Sequence, residues 1–218
     1  MKVACVGYRS WAIKIYLRLA EVFDQYEFLM QLDADRFCED EIKEFCPDFI
    51  LFYGWSKIIP SSIIESYRCL MLHPSALPKF RGGSPIQNQI VQGEIDSAVS
   101  IFLMDNGIDT GPIARQEYLS LDGTLDEIFS HIESLGFKLT QDIFDNGLKE
   151  FQQNDGDATY FKRRSPEQSE ITITELETRS AKYLNNKIRM LQDPYPNPFI
   201  RTVDGKRLII KSCEISDE

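Results

Sequence analysis

Residues 48–53, Asp-Phe-Ile-Leu-Phe-Tyr, constrain the fold more than any other stretch of this chain. After the aspartate no polar residue interrupts the run, so neither face of an extended segment there suits water. A strand of that kind is covered on both sides, as in a parallel sheet. Shorter apolar segments at 2–7, 28–30 and 68–72 read as companion strands. Between them, residues 11–23 carry apolar side chains (Ala12, Ile13, Tyr16, Leu17, Leu19, Ala20, Phe23) at the helical spacing of about 3.6. Residues 39–45 and 61–66 read as two further short helices. The alternation β-α-β-α-β-α-β predicts an α/β, Rossmann-like, open and mostly parallel sheet with right-handed crossovers.

Further along, a Pro/Gly-rich loop at 74–85 precedes a helix expected over 86–92. Residues 97–104 and 113–119 alternate as strands, and 125–144 reads as a long helix. The polar cluster Asn154-Asp155-Gly156-Asp157 marks the best boundary. It divides residues 1–153 from a small C-terminal α+β appendage, 154–218. That appendage is expected to hold one helix over 174–191, started by a capping box from Thr174 to Glu177, and a hairpin turning at Asp204-Gly205.

The formal net charge is −10. A surface that grips polyphosphate normally presents a basic face, so a nucleic-acid partner is disfavoured. The one compact basic run, Lys162-Arg163-Arg164, reads as a solvated patch before a ligand site. No apolar run is long enough to span a bilayer, so no membrane partner is expected. The opening Met-Lys-Val-Ala-Cys-Val-Gly-Tyr reads as a strand and not as a leader. Five scattered cysteines without metal-like spacing fit reduced thiols in a cytoplasm.

Ligands of open α/β sheets sit at the carboxyl ends of the strands. Three loops fall there: Gly7-Tyr8-Arg9-Ser10, Tyr53-Gly54-Trp55-Ser56 and His73-Pro74-Ser75. Of the two histidines, His131 lies mid-helix, while His73 ends a buried strand. Asp109 lies in a glycine loop, Gly107-Ile108-Asp109-Thr110-Gly111-Pro112, whose glycines permit close backbone approach to a ligand. A carboxylate beside an imidazole favours its charged form and can move protons. Asp105 competes as a carboxylate, but Asp105-Asn106-Gly107 reads as a turn, and no third ligand makes a metal loop, so no metal is expected. At the first strand–helix turn, Tyr8, Arg9, Ser10 and Trp11 suit a phosphate; Ser10 as a plain N-cap is the competing reading. Arg81, beside Gly82, Gly83 and Ser84, either reaches a pyrophosphate or sugar or is a salt-bridged arginine. Trp55 is either core or one wall of a flat slot.

The stretch His73-Pro74-Ser75-Ala76-Leu77-Pro78-Lys79-Phe80-Arg81-Gly82, with Asp105-Asn106-Gly107-Ile108-Asp109-Thr110-Gly111-Pro112 after it, resembles the catalytic domain of the folate-dependent formyltransferases. The resemblance covers about the first 150 residues. Gly54 to Pro60, Gly83-Ser84-Pro85-Ile86-Gln87 and Leu191 to Phe199 are most similar to the nucleotide-sugar N-formyltransferases, in particular to a pseudaminic-acid-pathway branch. The resemblance implies 10-formyltetrahydrofolate as formyl donor and a nucleotide-linked (UDP or dTDP) amino-deoxy sugar as acceptor, for a surface glycan such as O-antigen. It gives His73 the role of donating to the oxyanion and Asp109 that of keeping His73 charged and helping remove the amine proton. It places the pterin against Tyr53, Gly54, Trp55, Ser56, Ile58 and Ile59, with Asp105, Asn106, Gly107, Ile108 and Asp109 as the facing wall. Tyr8, Arg9, Ser10, Trp11, Ser75, Arg81, Gly82, Gly83 and Ser84 are then the acceptor side.

The chain departs from the pattern at Met71, where the family carries asparagine. A thioether donates no hydrogen bond. Either His73 suffices with backbone N–H groups, or Gln87 or Asn88 supplies the missing amide, or the protein binds folate or sugar nucleotide without turnover. A methionyl-tRNA formyltransferase-like activity is the other reading within the reaction class; the acidic charge and the roughly 60 residues after the catalytic part weigh against it. A homodimer paired through the edges of the C-terminal hairpin is a further expectation.

Overall fold

The computed structural model describes residues 1–216. The first half runs β1 (Lys2–Val6), α1 (Ser10–Val22), β2 (Glu27–Gln31), α2 (Glu39–Phe45), β3 (Phe49–Tyr53), α3 (Ser61–Ser66) and β4 (Cys69–His73). These match the expected elements to within a residue or two. β3 is buried along its whole length. Phe49, Leu51 and Tyr53 pack with α1 and with a later helix on one face. Ile50 and Phe52 pack with Ile42 and Ile63 on the other. Alternation thus divides the apolar run between two cores, the physical content of its uninterrupted hydrophobicity.

The chain continues through β5 (Arg81–Gly82), α4 (Pro85–Gln92), β6 (Asp96–Leu103), β7 (Ile113–Ser120) and α5 (Leu125–Asn146). The main sheet has the order β2-β1-β3-β4-β6-β7. β1 to β4 are mutually parallel; β6 is antiparallel to β4 and to β7. The order reverses between β1 and β3, and a crevice opens where the loops after these two strands part company. α5 is capped as its sequence dictates: Thr124 accepts from the Glu127 N–H, and Glu127 accepts from the Thr124 N–H in return.

The last third holds β8 (Tyr160–Phe161), α6 (Ile173–Thr178), α7 (Ala181–Arg189), β9 (Phe199–Arg201) and β10 (Arg207–Ile209). The hairpin β9–β10 forms as expected. The single helix expected over 174–191 does not. It is broken at Arg179, which is extended, and Ser180 caps a new helix by accepting from the Tyr183 N–H. The capping box lies two residues earlier than expected, at Thr172 and Glu175, because those two residues exchange the reciprocal bonds. Between the two helices, Glu175 pairs both carboxylate oxygens with the buried Lys187 ammonium at 2.8 Å.

β8 has no counterpart in the sequence reading. It pairs in parallel with β5, bringing residues 159–163 back onto the loop that follows His73. Gly82 adopts φ +97, and a Cβ there would stand 2.3 Å from the Phe161 carbonyl oxygen, so only glycine admits this pairing. All five cysteines are free, and burial pushes the Cys69 thiol up to about 12. No helix among the described residues is long and apolar enough to cross a membrane.

Candidate active site

β4 ends on His73 and presents Cys69, Met71 and His73 toward one face of the sheet, while Leu70 and Leu72 enter the opposite core. His73 is 5% exposed. Its Nδ1 stands 3.4 Å from Asp109 Oδ2, and its Nε2 lies 2.8 Å from the Phe80 carbonyl oxygen. Both ring nitrogens therefore face acceptors.

Asp109 is held from three directions. Its Oδ2 accepts from the Gly82 N–H at 2.7 Å, and its backbone oxygen accepts from Gln153 Nε2 at 2.9 Å. Its φ is +55, a left-handed conformation that aspartate tolerates better than most residues. The loop glycines serve the packing of the loop itself, while Gly107 also lines the cleft. A Cβ on Gly107 would meet Thr110 Oγ1 at 2.0 Å, and one on Gly111 would meet the Leu103 carbonyl at 1.8 Å. They allow the loop to fold on itself and carry Asp109 inward.

The pair opens on a cleft of about 1190 Å³. Its lining includes Gly54, Trp55, Ser56, Ile58 and Ile59 along one wall and Asp105 to Asp109 along another. Ile59 is buried, whereas Ile58 is 98% exposed at the rim. Asp105 forms the expected turn, accepting from the Gly107 N–H and the Thr110 hydroxyl. Trp55 is 9% exposed, packs against Phe37 and edge-on to Tyr8, and keeps its Nε1–H buried without a partner. Met71 lines the cleft between Phe52 and Phe102 of the adjoining strands. No cluster of three or more His, Cys, Asp or Glu among the described residues is arranged to hold a metal.

Several expected site residues lie elsewhere. Tyr53 turns into the core, its hydroxyl bonded to Thr140, because β3 alternation sends it to the α1–α5 face. Ser75 is fully buried and bonds the Lys79 carbonyl. Arg81 is 0% exposed, and its guanidinium is spent on Gln153, Asp155 and Tyr160, away from the cleft. Asn88 spends its amide on the carbonyls of Gly83 and Lys162 and so cannot supply the amide missing at Met71. Of the first strand–helix turn, Arg9 and Trp11 line the cleft. Tyr8 bonds Ser56 instead, and Ser10 is exposed as the first helical residue, with Arg9 in the N-cap place. Gly82, Gly83, Ser84 and Gln87 do border the cleft.

Three features escaped the sequence reading. Lys162, Arg163 and Arg164 line the cleft instead of forming a detached solvated patch, because the β5–β8 pairing folds them over the glycine loop. Gln153 clamps Asp109, and nothing in a lone glutamine signals that role. Tyr195 stacks on Phe129, which stacks on Trp11, building an aromatic wall under Arg9. Leu191, Tyr195 and Pro196 line the cleft from the Leu191 to Phe199 stretch.

The sequence profile described as formyl transferase matches residues 18–133, just over half of the chain. This chain belongs to the formyl transferase family. Among curated relatives, the methionyl-tRNA formyltransferase of Campylobacter curvus is 33% identical over 165 residues, which are 74% of this chain and 53% of that protein. The chain thus spans about half the length of the curated relatives it matches. Among solved structures, a methionyl-tRNA formyltransferase from Clostridium thermocellum superposes with a TM-score of 0.86 at 32% identity, covering 96% of this chain and 97% of that one. A sugar N-formyltransferase from a Shewanella species superposes with a TM-score of 0.79 at 16% identity, covering 100% and 99%; at that identity it speaks for the fold alone. Within the family's fold, His73 and Asp109 stand where the β4 end and the glycine loop converge.

Proposed function

We propose that this chain transfers a formyl group from 10-formyltetrahydrofolate to the amino group of a nucleotide-linked amino sugar. The observation that carries the reading is the His73–Asp109 pair, fixed by three structural bonds at the floor of a cleft large enough for two ligands. The donor slot has the chemistry a pterin asks for: buried Trp55 with an unpartnered N–H, Ile59 and Ile64 as apolar walls, and the backbone of Gly54 and Ser56 at the edge. When bound, the donor supplies an electrophilic formyl carbon.

The chain's own residues then act in a defined order. Asp109, locked by Gly82 and Gln153, keeps a proton on His73 Nδ1. The Nε2–H, now shared with the Phe80 carbonyl, is the donor that can turn to a developing negative oxygen. One such donor contributes about 3–4 kcal/mol of transition-state stabilisation. Asp109 is also the base within reach for the proton of the attacking amine, directly or through a water. Met71 adds no donor, so the burden on His73 is greater than where an asparagine stands two residues before it.

A second reading, formylation of methionyl-tRNA, is favoured by the names of the relatives at 33% and 32% identity. Against it stands the net charge of −10, with a single compact basic run, which lines the cleft. Formyl transfer assayed side by side with UDP- and dTDP-linked amino sugars and with methionyl-tRNA separates the two. Turnover on tRNA alone would overturn the sugar reading.

A further inference from the structure

The cleft is electrically divided. Its acidic lining residues, Asp105 and Asp109, lie along the Asp105–Asp109 wall. Arg9, Lys162, Arg163 and Arg164 also line it, and none of them takes part in an ion pair among the described residues. The one carboxylate whose charge reaches Arg164, Glu175, is committed to Lys187. In a chain with ten excess negative charges, four cations left unpaired in one cleft are a functional arrangement more readily than a structural one.

At the centre of this basic end is the start of α4. Ser84, in the N-cap place, is left-handed at φ +53 and does not cap the helix; its hydroxyl accepts from the Arg164 N–H instead. Pro85 has no N–H, and the N–H groups of Ile86 and Gln87 find no acceptor among the described hydrogen bonds. They are left at the positive end of the helix. An independent observation points the same way. The side chain of Gln87, in that first turn, is 4% exposed, lines the cleft and makes no hydrogen bond through Nε2, with the Tyr195 hydroxyl of the same lining as its polar neighbour; Arg164 leaves its Nε equally unpartnered. Every orphan here is a donor, so the missing occupant brings acceptors.

We infer that the first turn of α4, Gln87 and Arg164 form the subsite that holds a phosphate or diphosphate of the acceptor, with Arg9, Lys162 and Arg163 as the surrounding charge. This rests on the formyl-transfer reading and names the residues that hold the anionic part of its acceptor. A carboxylate offers two oxygens and one charge, too few for two backbone N–H groups, an amide, a guanidinium and three further cations; a phosphate or diphosphate offers more of both. The spacing fits a sugar between anion and amine. Gly82, which binds Asp109, and Ser84, which binds Arg164, are two residues apart, at most about 7 Å along the chain.

The test is calorimetric titration of the whole chain with inorganic pyrophosphate, UDP, dTDP and acetate, each with and without saturating 5-formyltetrahydrofolate. Wild type should bind pyrophosphate and the nucleoside diphosphates, and not acetate. Gln87→Leu and Arg164→Met should each weaken that binding at least tenfold and leave folate binding within twofold. Gln87→Leu should also keep or raise Tm, since it removes a buried donor with no partner; a merely structural Gln87 would lower it. Pyrophosphate and diphosphates binding the variants as tightly as wild type, or failing at millimolar concentration to bind a wild-type chain that still takes the folate, would overturn the subsite. Loss of folate binding in wild type would instead strike the formyl-donor reading.

Discussion

Gln153 offers the sharpest test of how the site is held. Its Oε1 accepts from Arg81 Nε at 3.1 Å and Nη2 at 2.8 Å, and its Nε2 donates to the carbonyls of Asp109 at 2.9 Å and Gly111 at 2.7 Å. Arginine only donates and carbonyls only accept, so the amide orientation is fixed by chemistry. Gln153→Ala removes two neutral bonds, each worth about 1 kcal/mol net, and the forked pair from the Arg81 guanidinium, together worth about 1.5 kcal/mol or more. The expected loss is about 3.5 kcal/mol, or about 7–14 °C in Tm for a chain of this size. Gln153→Glu keeps the Arg81 side and replaces the one nitrogen that makes both donations with an oxygen that faces two carbonyls. Its thermal loss should be smaller, yet its turnover should fall as far as that of the alanine variant, because Asp109 is what those donations secure. Thermal unfolding by circular dichroism and single-turnover formyl transfer read the two effects separately. Both variants melting within about 1 °C of wild type, or full turnover in Gln153→Glu, would refute the clamp.

Other expectations follow from the same geometry. His73→Ala and Asp109→Asn should each lower turnover by about 10²–10⁴ with the circular dichroism spectrum unchanged; retained activity in either removes it from the chemistry. Met71→Asn should preserve or raise turnover, since it offers a donor on the face that carries His73; a steep loss would mean that the thioether shapes the pocket between Phe52 and Phe102. Burial works against the charge of Glu175, but Lys187 and the Thr172 N–H outweigh it and hold the carboxyl below its ordinary value. A depressed carboxyl stabilises the fold above its unfolded value near about 4.3 and loses that contribution as pH falls through the lower folded value. Glu175→Gln should therefore cost about 3 kcal/mol at neutral pH, by stranding a buried ammonium, and flatten the acid limb of the stability curve followed by urea unfolding.

Much of the sheet is legible in the sequence because its strands bury both faces and its helices bury one, and each leaves a period. The break at Arg179-Ser180 is not legible in that way. Residues on both sides of it are polar enough to sit on one long amphipathic helix, and only the competition between two caps decides. At the site, His73 and Asp109 stand out because strand end and glycine loop are local signals. Ser75 and Arg81 follow His73 closely and yet point away, since a loop's sequence does not say which of its side chains turns inward; Tyr53 points away because it keeps the β3 alternation. Lys162 to Arg164 read alike whether they face water or a cleft; the outcome turns on a two-residue strand pairing across 79 positions, from Arg81 to Tyr160. Short pairings of that separation have no periodic trace.

That pairing has a consequence for how the molecule comes into being. Phe80, whose carbonyl faces His73 Nε2, donates its own N–H to the Thr159 hydroxyl and stacks on Phe161, while the Gly82–Asp109 contact sits on the same ribbon. During synthesis Gly82 and Gln153 are in place early, but the loop that carries Phe80 and Gly82 has no partner strand until the chain has been extended past residue 161. A nascent chain halted at the Asn154 turn would already own every atom of its chemistry and lack the brace that aims it.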